Sequence, residues 1–309
     1  MSNYSRMDAI GQITGRIEAL AAIVRAAPPA AALRETYAAI RLDEVGSSSR
    51  LAGARLDRTE VRALLERGRA LGGHRLDEYL TVRGYAEAAS WVAQQGTRRT
   101  PVTTEDLRML HRLAVRGLAD DPGAWRTRTV PPLADGTVPP PHWLVPFETE
   151  TYVGRLALGA SDPAPLALAR AIARLIRLQP FASGNGRVAR LVANLLAYRR
   201  GLPPIALDSR ARRAYAGAVR TALAGNPEPL AQVVGVALAR GLERLRDAIE
   251  PVEALQPLAA FGTPDRLYKA AQRGRLRVVR RDGRLYSTDS WIGAYAAKVS
   301  TESPVAPMK

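Results

Sequence analysis

The sequence predicts a mainly α-helical protein that ends in a small, basic α+β module. Through most of the first 250 residues, apolar residues recur three and four positions apart, which is the spacing of an amphipathic helix. Beyond Pro257, short β-like segments alternate with turn residues, and residues 251–309 hold ten Lys or Arg against five Asp or Glu. The length suits about two domains, or one larger domain with an appended module.

Composition narrows the class of protein. The chain has 309 residues, 47% of them hydrophobic, and no cysteine, which excludes general disorder, disulfides, thiolate metal sites and a cysteine nucleophile. The formal net charge is +16. That charge fits an anionic partner such as a nucleotide, a nucleic acid or an acidic surface. A coding bias toward arginine explains it at least as well, because only three of the 45 basic residues are lysine.

The sequence has no targeting pattern that we recognise. Residues 1–8 are polar, no small-residue cleavage site follows an apolar run, and no stretch of 18 or more apolar residues occurs. We therefore expect a cytoplasmic protein of bacterial type that does not enter a membrane.

Capping and breaking residues set the bounds of the predicted helices. Pro28 ends the first helix, Gly46–Ser49 predicts a break or cap after the second, and Asp57 and Thr103 or Thr104 predict N-caps. The predicted helices are Ala9–Ala27, Ala30–Asp43, Val61–Leu71, Leu76–Gln95, Glu105–Leu118, Glu148–Leu158, Pro165–Leu178, Arg187–Arg200, Ser209–Ala224 and Leu230–Ile249.

Two segments are not helical in pattern. Asp121–Pro146 is rich in proline and glycine, and its Asp135-Gly136 pair predicts a short β-hairpin, or at least an extended loop. The second such segment is the C-terminal module, whose pattern mixes helices and strands. Its predicted elements are a helix Asp265–Arg273, a strand Leu276–Val279, a turn Asp282-Gly283, a strand Arg284–Ser287 and a helix from about Asp289. We divide the chain into an N-terminal helical region (1–95), a core (96–250) and this module (258–300), joined by a linker around Glu250–Pro257.

The stretch from Leu178 to Arg190 carries the strongest chemical signal. Gly184-Asn185-Gly186 can adopt positive φ angles, so that successive N–H groups turn inward as an anion site just before a helix N-terminus. Arg187 and Arg190 are three residues apart and share a face of that helix. Together these groups suit a polyphosphate. The alternative is a plain turn that precedes a helix.

This stretch resembles the motif of the Fic (filamentation induced by cAMP) family, His-Pro-Phe-x-(Asp/Glu)-Gly-Asn-Gly-Arg-x-x-Arg. The matching residues are Pro180, Phe181, Gly184, Asn185, Gly186, Arg187 and Arg190. Similarity extends beyond the motif, over roughly residues 40–245. It includes Val102–Leu113, Pro122–Thr127, Val138–Pro141, Val145-Pro146, Asn194–Leu196 and Gly201–Pro204. The resemblance implies an all-helical core around a helix–loop–helix site, with a hairpin flap.

The resemblance also implies a reaction. Family members typically transfer AMP from ATP to a hydroxyl of a target protein. The motif histidine acts as base, the acidic residue holds magnesium, the Gly-Asn-Gly loop and both arginines bind phosphates, and the flap aligns the target backbone by strand addition. ATP or another nucleotide, a target protein and, with weaker support, magnesium are therefore the implied ligands.

The chain departs from the motif at the two chemical positions. Gln179 replaces the histidine, and a carboxamide cannot accept a proton near neutral pH. Ser183 replaces the acidic residue, and a neutral hydroxyl is a poor magnesium ligand. Loss of a positioned general base lowers a rate by about 10²–10⁴. We expect that phosphate binding is kept while ordinary adenylylation is lost or much weakened. The alternative is a transferase with altered chemistry on another phosphorylated substrate.

A third departure lies near residue 50. Many family members have an inhibitory helix, (Ser/Thr)-x-x-x-Glu-(Gly/Asn), whose glutamate pairs with the second motif arginine. Ser48 and Gly53 match this pattern, but Ala52 stands in place of the glutamate. The resemblance therefore implies a degenerate inhibitory motif and an Arg190 without its inhibitory partner. A simple helix cap is the alternative.

The remaining candidate residues give weaker signals. His74, His111 and His142 are scattered without metal-ligand spacing, and His111 lies on a leucine stripe, which favours a structural role. The C-terminal module resembles excisionase- or MerR-like helix-turn-helix segments. Its candidate DNA-binding residues are Arg273, Arg275, Arg277, Arg280, Arg281 and Arg284. A further hypothesis is thus a transcriptional regulator that uses the Fic core as a sensor or as a homodimer platform. The alternative is a solvated basic accessory domain.

Overall fold

A computed structural model describes residues 3–98, 100–133, 135–158, 161–207, 212–249, 255–262, 264–281 and 283–302. It divides into two compact units, the first formed by residues 1–26 and 37–243 and the second by residues 27–36 and 244–309.

The described residues are mainly helical, which confirms the predicted fold class. The α-helices are α1 (Asn3–Ala26), α2 (Ala31–Leu51), α3 (Arg58–Arg67), α4 (Leu76–Gln95), α5 (Thr104–Ala114), α6 (Val145–Leu158), α7 (Ala164–Leu178), α8 (Asn185–Arg199), α9 (Arg212–Leu223), α10 (Glu228–Ala248), α11 (Pro264–Gln272) and α12 (Asp289–Glu302). The predicted start of α9 at Ser209 lies outside the described residues.

The core of the first unit is built around α7 and α8. These two helices pack against each other more extensively than any other described pair, and α4 and α5 cover α8 from the side. Both contribute many buried residues: Ile172 and Leu175 on α7 are fully buried, as are Leu191 and Leu195 on α8. Their connection, residues 179–184, is therefore held between two closely packed helices, and this is the predicted site.

Close packing of α4 and α5 depends on one glycine. A Cβ atom at Gly84 would lie 2.8 Å from the carbonyl oxygen of Leu113 and 3.1 Å from that of Ala114. Both atoms belong to the backbone, so they cannot move aside without moving α5. Gly84 thus sets how close α5, with its His111, lies to the rest of the core.

The predicted break at Gly46–Ser49 is wrong, because α2 runs through these residues to Leu51. All four positions are buried, and Ser47 donates a hydrogen bond from Oγ to the carbonyl oxygen of Glu44 at 3.0 Å. Burial against the core outweighs the weak helix propensity of serine and glycine here.

The proline-rich segment contains the predicted turn but no paired strands among its described residues, 121–133 and 135–141. The Leu133 N–H donates to the Thr137 carbonyl at 2.8 Å, and Gly136 has a φ of 84°. The two arms are extended without a ladder, which agrees with the extended-loop alternative. Prolines at 131–132 and 139–141 remove the N–H groups that a ladder needs. We call this segment, residues 121–141, the flap.

The second unit contains a small antiparallel sheet in the order β1 (Gln256–Pro257), β3 (Arg284–Ser287), β2 (Val279–Arg281). A separate apolar cluster lies under it, formed by Leu258, Leu267, Ala270, Leu276 and Leu285. The strand predicted over residues 276–279 begins only at its last residue, because the Leu276 N–H donates to the Ala270 carbonyl in the turn that ends α11. Strand β1 lies within the stretch that we predicted as linker. Asp282 of the predicted turn lies outside the described residues.

In the part of the chain that the structure describes, no helix is both long enough and apolar enough to cross a bilayer.

We predict that Gly84→Ala lowers the free energy of unfolding by about 1–3 kcal/mol, because the added methyl group overpacks the α4–α5 contact. Gly154→Ala is the matched control. Gly154 is an exposed helical glycine with no atom within 4 Å of its virtual Cβ, so its substitution should stabilise the protein by up to about 1 kcal/mol. Urea titrations followed by circular dichroism compare the two, and equal effects would contradict the prediction.

Candidate functional site

The site is the loop between α7 and α8, and it begins with an unusual backbone conformation. Gln179 has φ 46° and ψ 58° and is the one non-glycine residue with positive φ in the described ranges. Its side chain donates from Nε2 to the Ile176 carbonyl at 2.8 Å and accepts at Oε1 from Asn185 Nδ2 at 2.9 Å. Both ends of the carboxamide are therefore occupied by contacts that stabilise the helix end and the loop.

Asn185 closes the loop into a ring. Its Oδ1 accepts from the Phe181 N–H at 3.0 Å, and its Nδ2 donates to the Phe181 carbonyl at 2.9 Å as well as to Gln179. The side chain is only 4% exposed. The asparagine of the motif thus acts on the shape of the loop.

Gly184 begins α8 with a left-handed conformation, φ 74°. A Cβ atom there would lie 2.7 Å from Val115 Cγ1 and 3.4 Å from the ring of His111. Conformation and space both require glycine at this position. The N-terminus of α8 consequently lies directly against the end of α5.

His111 joins the loop to the flap. Its Nδ1 accepts from the Gly123 N–H at 2.9 Å, and its Nε2 lies 3.1 Å from the Ser183 carbonyl, so Nε2 carries the proton. The ring stacks on Phe181 with centroids 3.9 Å apart. Burial lowers the pKa of His111 to about 4, and the positive charge of Arg187 adds to this against the Ser183 hydrogen bond. His111 is a neutral, structural side chain.

Arg126 holds both arms of the flap against the loop. Its guanidinium donates to the Gln179 carbonyl at 2.7 Å, to the Arg128 carbonyl at 3.0 Å and to the Pro140 carbonyl. Its backbone N–H also donates to the Pro180 carbonyl at 3.0 Å. The residue is 4% exposed, and burial lowers the pKa of its guanidinium. Sequence analysis gave Arg126 no role, since long-range contacts to carbonyl groups leave no local pattern.

The two motif arginines lie together on α8. Arg187 donates to the Ala114 carbonyl at 2.9 Å, and burial, followed by repulsion from Arg190, lowers its pKa to about 10. It therefore stays charged at neutral pH. Neither guanidinium forms an ion pair with a carboxylate among the described residues. Two neighbouring positive charges with unused N–H groups favour an anion between them.

Arg190 is held by α2. Its Nε donates to Ser48 Oγ at 2.6 Å and its Nη2 to the Ser48 carbonyl at 3.1 Å. Ala52 and Gly53 lie beyond the end of α2 and are exposed. The structure thus brings Ser48 to the site and leaves Ala52 and Gly53 outside it.

A buried carboxyl that sequence analysis missed lies beside Arg190. Glu44, one turn before Ser48, is 2% exposed and accepts at Oε1 from the Tyr85 hydroxyl and from Asn194 Nδ2. Burial raises its pKa to about 7, against the opposing effects of the Tyr85 hydrogen bond and then of the Arg190 charge. A lone glutamate in a helical segment gives no signal that it will be buried.

Of the other predicted residues, Ser183 belongs to the loop, whereas the contacts of His74 and His142 lie elsewhere. Ser183 is exposed and contributes its carbonyl, and no group of three His, Asp or Glu in the described ranges could hold a metal. His74 contacts Glu60 at 3.0 Å, and His142 packs edge-on against Trp143.

The structure separates Arg277 from the other arginines of the C-terminal module. Arg277 lies over the Trp291 ring at 4.0 Å and donates to the carbonyl groups of Arg246 and Ile249. Burial lowers its pKa. It packs within the second unit, whereas the remaining candidates are exposed: Arg273, Arg275, Arg280, Arg281 and Arg284.

A helix–loop–helix that presents two arginines beside a flap can be compared with known proteins. Residues 101–197 match the model of the Fic/DOC family.

Two curated relatives are both named protein adenylyltransferase Fic. The one from Drosophila erecta is 26% identical over 209 residues, 66% of this chain and 41% of the relative. The one from Culex quinquefasciatus is 25% identical over 261 residues, 83% of this chain and 50% of the relative. The chain therefore spans about half the length of the curated relatives it matches.

A solved structure of Fic-1 from C. elegans superposes with a TM-score of 0.69 and covers 76% of this chain and 71% of that one. At 23% sequence identity, this likeness concerns the fold alone.

We predict a pH-dependent effect of Glu44→Gln on stability. Since the folded-state pKa of Glu44 is raised from 4.5 to about 7, this carboxyl favours the folded state below pH 4.5, and that contribution is lost as the pH rises through about 7. Glutamine keeps an acceptor for Tyr85 and Asn194 but cannot ionise. From pH 5 to pH 8, the free energy of unfolding of wild type should therefore fall relative to that of Glu44→Gln. The expected change in this difference is up to roughly 3 kcal/mol.

The check is urea unfolding at both pH values. Glu66→Gln, at an exposed carboxylate of α3, is the control and should show little such difference. If the stability difference between Glu44→Gln and wild type were the same at pH 5 and pH 8, the carboxyl would not be held neutral by burial.

Proposed function

We propose that this protein binds a nucleotide through its phosphates at the Fic motif loop, and that ordinary AMP transfer is lost or much weakened. One observation carries the proposal. Arg187 and Arg190 lie at the start of α8 in an arrangement that favours a phosphate, while the residue at the position of the base, Gln179, is an amide engaged in holding the loop.

The binding half of the proposal rests on charge and shape. Arg187 and Arg190 lie on the first two turns of α8, whose N-terminus follows Gly184. The helix dipole, backbone N–H groups and two guanidinium groups all favour a phosphate chain here. The names of the curated relatives support ATP as the nucleotide.

The catalytic half rests on what the loop lacks. Transfer of AMP to a hydroxyl needs an acceptor for the hydroxyl proton, and a carboxamide has no basic lone pair to offer. His111 does not replace it, because its Nδ1 is occupied by Gly123 and its Nε2 faces Ser183. Without a base, the rate should be about 10²–10⁴ lower than with one.

The residues present do not fit a magnesium ion held by the protein. The position that carries a carboxylate in the family motif is Ser183, and no acidic cluster is found in the described ranges. Hard divalent cations require several oxygen ligands, usually carboxylates. We therefore derive no step through a protein-bound metal.

We predict that wild-type protein binds ATP in the micromolar range and that Arg187→Ala weakens binding by at least about tenfold, since it removes a charge-assisted contact. Isothermal titration calorimetry measures this directly. Arg213→Ala, at an exposed arginine of α9, is the control and should bind as wild type does. Absence of binding by wild type for all four nucleoside triphosphates would remove the proposal.

The same protein samples test whether AMP transfer is lost. With α-labelled ATP, wild type should show no label transfer to itself and no pyrophosphate release, whereas Gln179→His with Ser183→Asp should restore measurable turnover. Gln179→Asn with Ser183→Asp is the matched control without a base. Wild-type turnover equal to that of the first double variant would instead favour the altered-chemistry transferase.

DNA binding by the C-terminal module is a second candidate function. It is favoured by the surface of the second unit, where Arg266, Lys269 and Arg273 are exposed at helical spacing on and just after α11. Arg280 and Arg284 are exposed on the neighbouring β2–β3 hairpin. A short helix beside a basic hairpin suits a groove and its flanking phosphates.

We predict that the full chain binds a fluorescent 20-base-pair duplex in a salt-dependent way, and that Lys269→Glu with Arg273→Glu weakens binding at least about tenfold at low salt. Fluorescence anisotropy gives the affinity. Arg67→Glu with Arg69→Glu makes the same charge change on another exposed surface and is the control. No binding at low salt, or an equal loss in the control, would exclude this role.

A further inference from the structure

A group of large apolar side chains is exposed beside the flap. Val138 in the second arm is 70% exposed, Trp143 just after the flap is 68% exposed, and Phe147 in the first turn of α6 is 65% exposed. Large aromatic groups this exposed are unfavourable in water unless something covers them, and such groups mark interaction surfaces.

These residues adjoin a cavity of about 270 Å³ that opens between the flap, α6 and the end of α7. Val138 itself lines the cavity, and Trp143 and Phe147 lie on the segment that leads into its α6 wall. Phe147, Thr151 and Arg155 are four residues apart and follow one face of α6, and Thr151 and Arg155 also line the cavity. The opposite wall ends at Leu178, the residue before Gln179.

The cavity wall is positively charged. Arg155, Arg174 and Arg177 line it, against one carboxylate, Glu148. Arg177 donates to the Leu223 carbonyl. Arg155 and Arg174 are exposed and form no hydrogen bond or ion pair among the described residues, so their guanidinium groups are available to a partner.

We propose that this surface, defined by Val138, Trp143, Phe147, Arg155 and Arg174, docks a protein segment that carries an acidic side chain next to a large apolar one. Tryptophan, phenylalanine and arginine are the residue types that dominate protein–protein interfaces. Arg155 and Arg174 favour a partner with negative charge. The aromatic side chains are exposed in the free protein and would be buried by that partner.

A segment docked on this surface would be close to the motif loop. Since the surface runs from the flap to Leu178, a segment bound there would lie beside the loop at Gln179–Arg187. Only this last step rests on the proposed function, because the docking itself requires no nucleotide. A protein partner fits better than a nucleic acid, since Val138, Trp143 and Phe147 suit apolar side chains, and two unpaired arginines suit one acidic side chain better than a row of phosphates.

The test is selection from a phage library of random twelve-residue peptides on the immobilised full chain without nucleotide. Wild type should enrich Asp and Glu together with aromatic or aliphatic residues. Arg155→Glu with Arg174→Glu should lose the acidic preference or reverse it toward Lys and Arg. Arg67→Glu with Arg69→Glu has the same net charge and should select as wild type does.

A second measurement follows the most enriched peptide by fluorescence anisotropy. Trp143→Ala with Phe147→Ala should weaken its binding at least about tenfold. Circular dichroism should show unchanged melting for these surface variants, and Arg155→Glu with Arg174→Glu should still bind ATP if the nucleotide proposal holds. The two proposals can therefore fail separately.

Three results would overturn the docking proposal. The first is that wild type enriches no peptide. The second is that Arg155→Glu with Arg174→Glu enriches the same acidic peptides as wild type. The third is that polyadenylate displaces bound phage from wild type but not from this double variant. The last result would mark the surface as a site for nucleic acid.

Discussion

The candidate site depends on partly buried hydrogen bonds from side chains to main-chain carbonyl groups. Arg126 binds carbonyl groups of the loop and of both flap arms, His111 binds that of Ser183, and Arg187 binds that of Ala114 at the end of α5. A typical hydrogen bond of this kind contributes about 0.5–1.5 kcal/mol, and more when the donor is charged, as in both arginines. The loop, the flap and α5 are therefore one hydrogen-bonded assembly, and none can move without breaking contacts to the others.

This assembly explains how the same residues serve structure and binding. Arg187 supports the end of α5 with one N–H group and leaves others for an anion. Arg190 contacts Ser48 with two N–H groups and also leaves others for an anion. The two guanidinium groups are held close together although they repel, which lowers the pKa of Arg187 beyond the effect of burial. An anion between them would relieve that repulsion, so an arrangement that is unfavourable when empty becomes favourable with a phosphate bound.

Much of the fold was predictable because helix periodicity is a local signal. The bounds of α4 and α7 agree with prediction to within one residue. Predictions failed where tertiary contacts override local preference, as in α2, whose Gly46–Ser49 stretch is kept helical by burial. At the site, the motif located the loop and both arginines. It could not reveal Arg126 or Glu44, because neither a guanidinium bound to distant carbonyl groups nor a buried carboxyl has a sequence pattern.

The two departures from the family motif, Gln179 and Ser183, are at positions where the main-chain carbonyl group makes the contact with the flap or with α5. Arg126 binds the carbonyl of Gln179, and His111 binds the carbonyl of Ser183, so these links do not depend on which side chain stands at either position. The amide of Gln179 even adds a bond to Asn185. In contrast, Gly184 and Asn185 shape the loop themselves. Folding therefore constrains Gly184 and Asn185 directly. The links at positions 179 and 183 need only a main-chain carbonyl group, so the contacts of the loop with the flap and with α5 tolerate changes of side chain at these two positions.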